Sequence, residues 1–143
     1  MAGLMEYYPP IDLRSEKLRA LTRALGPAWI RVSGSWATKT YYDFEGTTQG
    51  TPPAGYASVL TKEQWTGVLD FVKAMDGRLL VSVSNCAGDH PGGGPLDLTQ
   101  TEKLFDFSHR YGVDIAAALP ALCGKPVDGA VTLAPGSCAF LVL

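Results

Sequence analysis

The chemistry open to this chain rests on a few side chains. Asp89 and His90 are adjacent and offer a base with a carboxylate to orient it, or two ligands of a metal. No Ser or Cys in a nucleophile pattern and no third ligand accompanies them, so both roles are disfavoured. Asp43 and Glu45 form a close acidic pair. Two carboxylates so near on one loop are badly placed to flank a scissile bond, and solvated loop charges are the expectation. Ser33-Gly34-Ser35-Trp36 sets short hydroxyls around a glycine, where a ligand can come close to the backbone. A small-residue turn selected for its backbone geometry explains the same residues. Asn85 offers a donor and an acceptor to hydroxyl groups, or caps the end of a strand. Trp36, Tyr41 and Tyr42 can wall a pyranose ring, although loop aromatics more often anchor their loop to the core.

Other candidates carry less. Cys86, Cys123 and Cys138 are an odd, widely spaced set without a CxxC pair, which reads as free thiols rather than a zinc site. Gly92-Gly93-Gly94-Pro95 lacks the Gly-Lys-Ser/Thr of a phosphate loop and reads as a flexible spacer. His109 beside Arg110 suits the C-terminal end of a helix. No metal and no cofactor is expected.

Three repeated units must position these residues. Asp12 is a candidate cap for a helix over residues 12–25 that carries Leu18, Leu21 and Leu25 on one face, with Gly26 and Pro27 ending it. A strand over 28–32 follows. Thr61 and Gln64 match a capping box for a helix over 61–76, in which Trp65, Val68, Leu69 and Val72 recur at helical spacing. Gly77 closes that helix, and 79–83 reads as the next strand. Thr99 and Glu102 suggest another capping box for a helix over 99–111, which Gly112 ends before a third strand over 113–117.

Alternating helices and strands predict a parallel sheet covered by helices, an α/β fold. Long stretches, 33–60 and 84–98, follow the first two strands at the C-terminal ends where such folds bind ligands. Beyond Ala118 the helical period disappears. Residues 127–133 and 137–143 read as two strands around an Ala134-Pro135-Gly136 turn, a C-terminal β-hairpin.

Composition bounds the function. The 143 residues are 46% apolar, 18% charged and carry a net charge of −2, without the basic stripe of a nucleic-acid binder. No apolar run approaches the ~20 residues of a membrane helix. The opening residues have neither the basic nor the apolar region of a signal peptide. A closed eight-stranded β/α barrel needs ~250 residues, more than this chain holds.

The order of motifs resembles a known family. Pro27-Ala28-Trp29-Ile30-Arg31-Val32-Ser33-Gly34-Ser35 is followed by Trp65-Thr66-Gly67-Val68-Leu69-Asp70-Phe71-Val72-Lys73, then by Arg78-Leu79-Leu80-Val81-Ser82-Val83-Ser84-Asn85. This series is similar to the heparanase-like β-glucuronidases of glycoside hydrolase family 79. Tyr111-Gly112-Val113-Asp114-Ile115 matches the approach to that family's fourth barrel strand. Leu133-Ala134-Pro135-Gly136-Ser137-Cys138-Ala139-Phe140-Leu141-Val142-Leu143 looks like the end of its β-sandwich.

The resemblance implies part of a (β/α)8 (TIM) barrel over residues 1–118 and a β-sandwich hairpin over 119–143. It implies a retaining hydrolase of β-glucuronides, and a family whose members are often secreted. Ser33, Gly34, Ser35, Trp36 and Asn85 would then face the sugar, with Ser35 offering its hydroxyl. Retaining chemistry needs an acid/base and a nucleophilic carboxyl. In the family the acid/base Glu sits in Asn-Glu-Pro after the fourth strand, and no Asn-Glu-Pro occurs in this sequence. The expectation is therefore a glucuronide-related chain without catalytic residues of its own. A sugar-binding or assembly module is the alternative. Self-association, or a complementary segment, is expected to complete the half-barrel.

Overall fold

The computed structural model describes residues 11–120. The expected hairpin over 127–143, Cys123 and Cys138 lie outside the described residues.

Helix α1 spans Glu16–Ala24, and its cap falls three residues after the expected Asp12. Asp12 instead accepts a hydrogen bond from Arg14 N at 3.0 Å, and its carbonyl accepts from Ser15 N at 3.1 Å. This local turn competes with helix, as short acidic side chains commonly do, and leaves the cap to Ser15. Ser15 Oγ accepts from Leu18 N at 3.4 Å. Gly26 adopts φ +80°, and strand β1 follows at Trp29–Val32.

Helix α2, Lys62–Ala74, has the expected capping box. Thr61 N donates to Gln64 Oε1 at 2.9 Å, and Gln64 N returns a 3.3 Å bond to Thr61 Oγ1. Helix α3, Thr99–Tyr111, is capped differently from expectation. Thr99 already lies inside the helix, and Asp97 Oδ1 accepts from Thr99 N at 2.9 Å and from its Oγ1 at 2.6 Å. Gly112 closes α3 in the left-handed conformation, φ +85°.

Two further strands arise inside the stretch read as loop: β2, Thr40–Asp43, and β3, Ser58–Thr61. They pair in parallel, Thr40 with Ser58 through Asp43 with Thr61. Short alternating stretches such as Tyr41-Tyr42 and Ser58-Val59 become strands only because each finds the other. Strand β4 is Arg78–Val83 and β5 is Ile115–Pro120, two residues later than expected.

The main sheet has the order β1-β4-β5, with both pairings parallel. The described residues form a mixed α/β fold with parallel strands and three α-helices. Leu79, Val81 and Val83 on one face of β4 join a core with Trp65, Val68, Leu69 and Val72 of α2 and Leu104 of α3. Leu80, which alternates to the opposite face, is buried as well. This explains why β4 reads as a mostly apolar run. Trp65 Nε1 donates to Ser108 Oγ at 2.9 Å, and Ser108 Oγ donates to the Leu104 carbonyl at 2.7 Å. The pair ties α2 to α3, and among the described residues no buried side-chain N or O atom lacks a hydrogen-bond partner. No described helix is long and apolar enough to cross a membrane.

Candidate functional site

The C-terminal ends of β1 and β4 lie side by side because the strands are paired in parallel. The chain leaves β1 through Ser33 and Gly34, whose φ of +146° suits glycine. It then winds a short turn over Ala37–Lys39. Ala37 N donates to Gly34 O at 3.1 Å, and Thr38 Oγ1 donates to Ser35 O at 3.1 Å. Thr40 Oγ1 donates to Trp36 O at 2.6 Å. These bonds fix the backbone of the Ser33-Gly34-Ser35-Trp36 turn while Ser35 and Trp36 stay exposed, Trp36 at 46%.

Asn85 leaves β4 against this turn, and its backbone N donates to Thr38 O at 3.0 Å. All five residues expected at the site are therefore on one edge of the sheet. The three candidate aromatics separate. Tyr42 is buried, with its hydroxyl accepting from Ser84 N at 3.1 Å. Burial pushes the Tyr42 hydroxyl far above the usual tyrosine range, which keeps it neutral. Tyr41 stacks edge-on against Tyr56 with ring centroids 5.2 Å apart. Both anchor the loop, and Trp36 alone of the three is exposed.

Asp89 and His90 do not form a pair. Asp89 is 1% exposed and accepts from Ser84 Oγ at 2.6 Å, Cys86 N at 2.9 Å and Tyr56 Oη at 2.9 Å. Cys86 Sγ adds a weak 3.4 Å bond. Burial raises the Tyr56 hydroxyl, and the bond to Asp89 raises it further. The two loops are pressed together here. Gly88 N donates to Gly55 O at 3.2 Å, and a Cβ on Gly88 would fall 2.2 Å from the Tyr56 ring. His90 turns the other way. Its Nε2 lies 2.9 Å from Asn85 Oδ1 and its Nδ1 lies 2.9 Å from Gly94 O. The glycine run is a wound turn over Pro91–Gly93, closed by Gly93 N donating to His90 O at 2.9 Å.

The acidic pair also separates. Asp43 is buried, not solvated, and accepts from both Thr47 and Thr48 through backbone N and Oγ1, at 2.7–3.2 Å. Burial opposes its ionisation, but these four bonds outweigh burial and hold the carboxyl well below the usual carboxylate range. Glu45 is exposed as expected and pairs with Lys103 Nζ at 3.0 Å. An open cleft of about 440 Å³ lies beyond β2 and β3, lined by Asp43, Glu45, Gln49, Lys62 and Glu63 among others. Each member of the pair is thus committed to a partner other than a second carboxylate.

Two contributors escaped the sequence reading. Tyr56 bonds Asp89 across 33 residues of sequence, and Gln100 Oε1 accepts from Tyr42 N across 58. No spacing rule links such distant residues. Cys86 is a free, partly buried thiol, as expected. His109 sits in the last turn of α3, where its Nδ1 meets Asp114 Oδ1 at 2.7 Å. Among the described residues no group of three or more His, Cys, Asp or Glu side chains is placed to hold a metal ion.

No family model matches the sequence, and no curated protein matches it.

Proposed function

We propose that this chain is a glucuronide-binding relative of the retaining β-glucuronidases of family 79, holding its sugar without a catalytic carboxylate pair of its own. In this reading residues 1–118 are part of a (β/α)8 barrel, and 119–143 derive from the β-sandwich that accompanies it. One observation carries the proposal. Parallel pairing of β1 with β4 sets the Ser33-Gly34-Ser35-Trp36 turn beside Asn85 at the C-terminal strand ends, joined by the Asn85 N to Thr38 O bond. Exposed Ser35 supplies a hydroxyl and Trp36 an apolar ring face for a pyranose, while Asn85 supplies an amide.

The absence of Asn-Glu-Pro from the sequence argues against turnover. General acid catalysis contributes ~10²–10⁴-fold, and the residue that performs it in the family has no counterpart here. Two measurements on the full chain test the reading. We expect no hydrolysis of an aryl β-glucuronide above background. We also expect saturable binding of methyl β-D-glucuronide, seen as saturation-transfer NMR signals that weaken in Ser35→Ala and Trp36→Ala. Turnover abolished by replacing one acidic residue would replace binding with catalysis. Equal binding by the wild type and both variants would remove this edge as the sugar site.

A further inference from the structure

The strand register divides the side chains of the main sheet between two faces. Leu79, Val81 and Val83 of β4 share one face with Ile30 and Val32 of β1, and this face packs on the helices. Trp29, Arg31, Arg78 and Leu80 alternate to the other. Residues of α1, α2 and α3 all join the core of the first face, through Leu18, Trp65 and Leu104 among others. Parallel sheets are ordinarily covered on both faces. At one corner of the second face Trp29 is 50% exposed, and Arg31 and Arg78 are exposed beside it. Arg78 Cζ lies 5.5 Å from the centroid of the Trp29 ring. Arg31 is in register with Leu80, two residues beyond Arg78, so the two arginines are diagonal neighbours with backbones about 8 Å apart. The other described arginines have polar partners: Arg14 meets Asp12, while Arg19, Arg23 and Arg110 donate to the carbonyls of Leu13, Ala74 and Asp106. Among the described residues the guanidinium groups of Arg31 and Arg78 have neither a hydrogen bond nor an ion pair.

The complementary charges stand on α3. Glu102 and Asp106 are both exposed and lie four residues apart, a spacing that sets Cβ atoms about 5–6 Å apart on one helix face. Among the described helices this is the one pair of carboxylates at that spacing. Neither is in an ion pair, because Lys103 is taken by Glu45 and His109 by Asp114. We propose that α3 of a second copy of this chain docks on the Trp29 corner, with Glu102 and Asp106 meeting Arg31 and Arg78. A helix is the element that covers a parallel sheet, and a pair of carboxylates matches a pair of guanidinium groups. Trp and Arg are the residues that most often dominate such contacts. The two patches lie on opposite sides of the sheet, since α3 packs on the first face through Leu104. The contact is therefore head-to-tail, and each added copy presents a fresh corner to the next. The inference stands apart from the sugar reading.

Sedimentation velocity of the full chain, with a charge swap, tests it. The wild type should form assemblies whose mass grows with protein concentration and falls between about 50 mM and about 500 mM NaCl, as screening weakens the charge contact. Arg31→Glu with Arg78→Glu should weaken self-association at least about tenfold, because like charges then face each other. Glu102→Lys with Asp106→Lys should do the same. Each double variant keeps one intact patch. An equimolar mixture of the two should therefore recover association through those intact patches and stop at a dimer. That rescue also shows that both variants are folded. Arg31→Gln with Arg78→Gln removes the charge without reversing it, and should weaken assembly even if the reversal variant fails to fold. A monomeric wild type would overturn the proposal. So would double variants that assemble as the wild type does, the outcome expected if backbone pairing at the sheet edges alone joins the copies. Folded variants whose mixture stays monomeric would overturn it as well.

Discussion

At the scale of single residues, Asp43 shows how one carboxylate can organise a loop. Its two oxygens take four bonds from Thr47 and Thr48, and the turn between β2 and β3 starts from that knot. Removing the charge leaves donors without a partner, which typically costs about 1–3 kcal/mol. We therefore expect Asp43→Ala to lower stability by about that amount in urea denaturation. The pH dependence has a definite sign. The folded-state value of Asp43 lies below its unfolded value, so its contribution is complete above the ordinary Asp value of about 3.9 and is lost as pH falls through the folded-state value. Urea midpoints measured between pH 2 and 6 should fall at the acid end in the wild type, and fall less in Asp43→Ala. His109 has the opposite sense. The hydrogen bond to Asp114 raises its value, so this exposed pair helps at acidic pH and fades as pH rises through the raised value. ¹H NMR titration should place the His109 midpoint above that of a free histidine, and Asp114→Asn should bring it back.

At the scale of elements, two contacts join neighbouring segments of the fold. Ser108 is the acceptor for the buried Trp65 Nε1 between α2 and α3. Ser108→Ala orphans that donor, and we expect a loss of about 1–3 kcal/mol in a denaturant titration with the fold retained. The second contact is the approach of residues 55–56 to residues 88–89. A methyl group on Gly88 would enter the Tyr56 ring, so Gly88→Ala must move one loop. The expected result is loss of the Tyr56–Asp89 bond, read as a changed Tyr56 ring environment by NMR, with displaced Asn85 resonances. An unchanged spectrum would show that the two loops are not in contact in solution.

At the scale of the whole molecule, β1 and β5 are the outer strands of the main sheet among the described residues. An outer strand presents unpaired backbone groups that recruit further strands. Leu21, Leu25 and Trp29 are exposed on or beside α1 and β1. We expect the full chain to form dimers or larger assemblies at micromolar concentration, measured by light scattering. A monomer of 15.2 kDa that binds little hydrophobic dye would show instead that the chain covers its own edges.

Local interactions account for what was legible in the residues alone. The Thr61/Gln64 box, the Trp65 to Val72 helical face and the Gly26 and Gly112 stops lie within a few positions of one another, so propensity and spacing suffice to read them. The mostly apolar run at 79–83 announces a strand buried on both faces, whereas β1 keeps Trp29 and Arg31 exposed. The alternation of strands with helices implies parallel pairing. The grouping of the Ser33-Gly34-Ser35-Trp36 turn with Asn85 follows from that pairing. Tertiary structure decided the rest. Strands β2 and β3 exist through each other, and Asp43 became buried because two threonines further along fold back onto it. Asp89 and His90 are neighbours in sequence, yet they serve separate networks because Tyr56 and Gly94 arrive from different directions. Such choices depend on which donor or acceptor is near in space when a polar group leaves water, and a buried group must take the partner it finds.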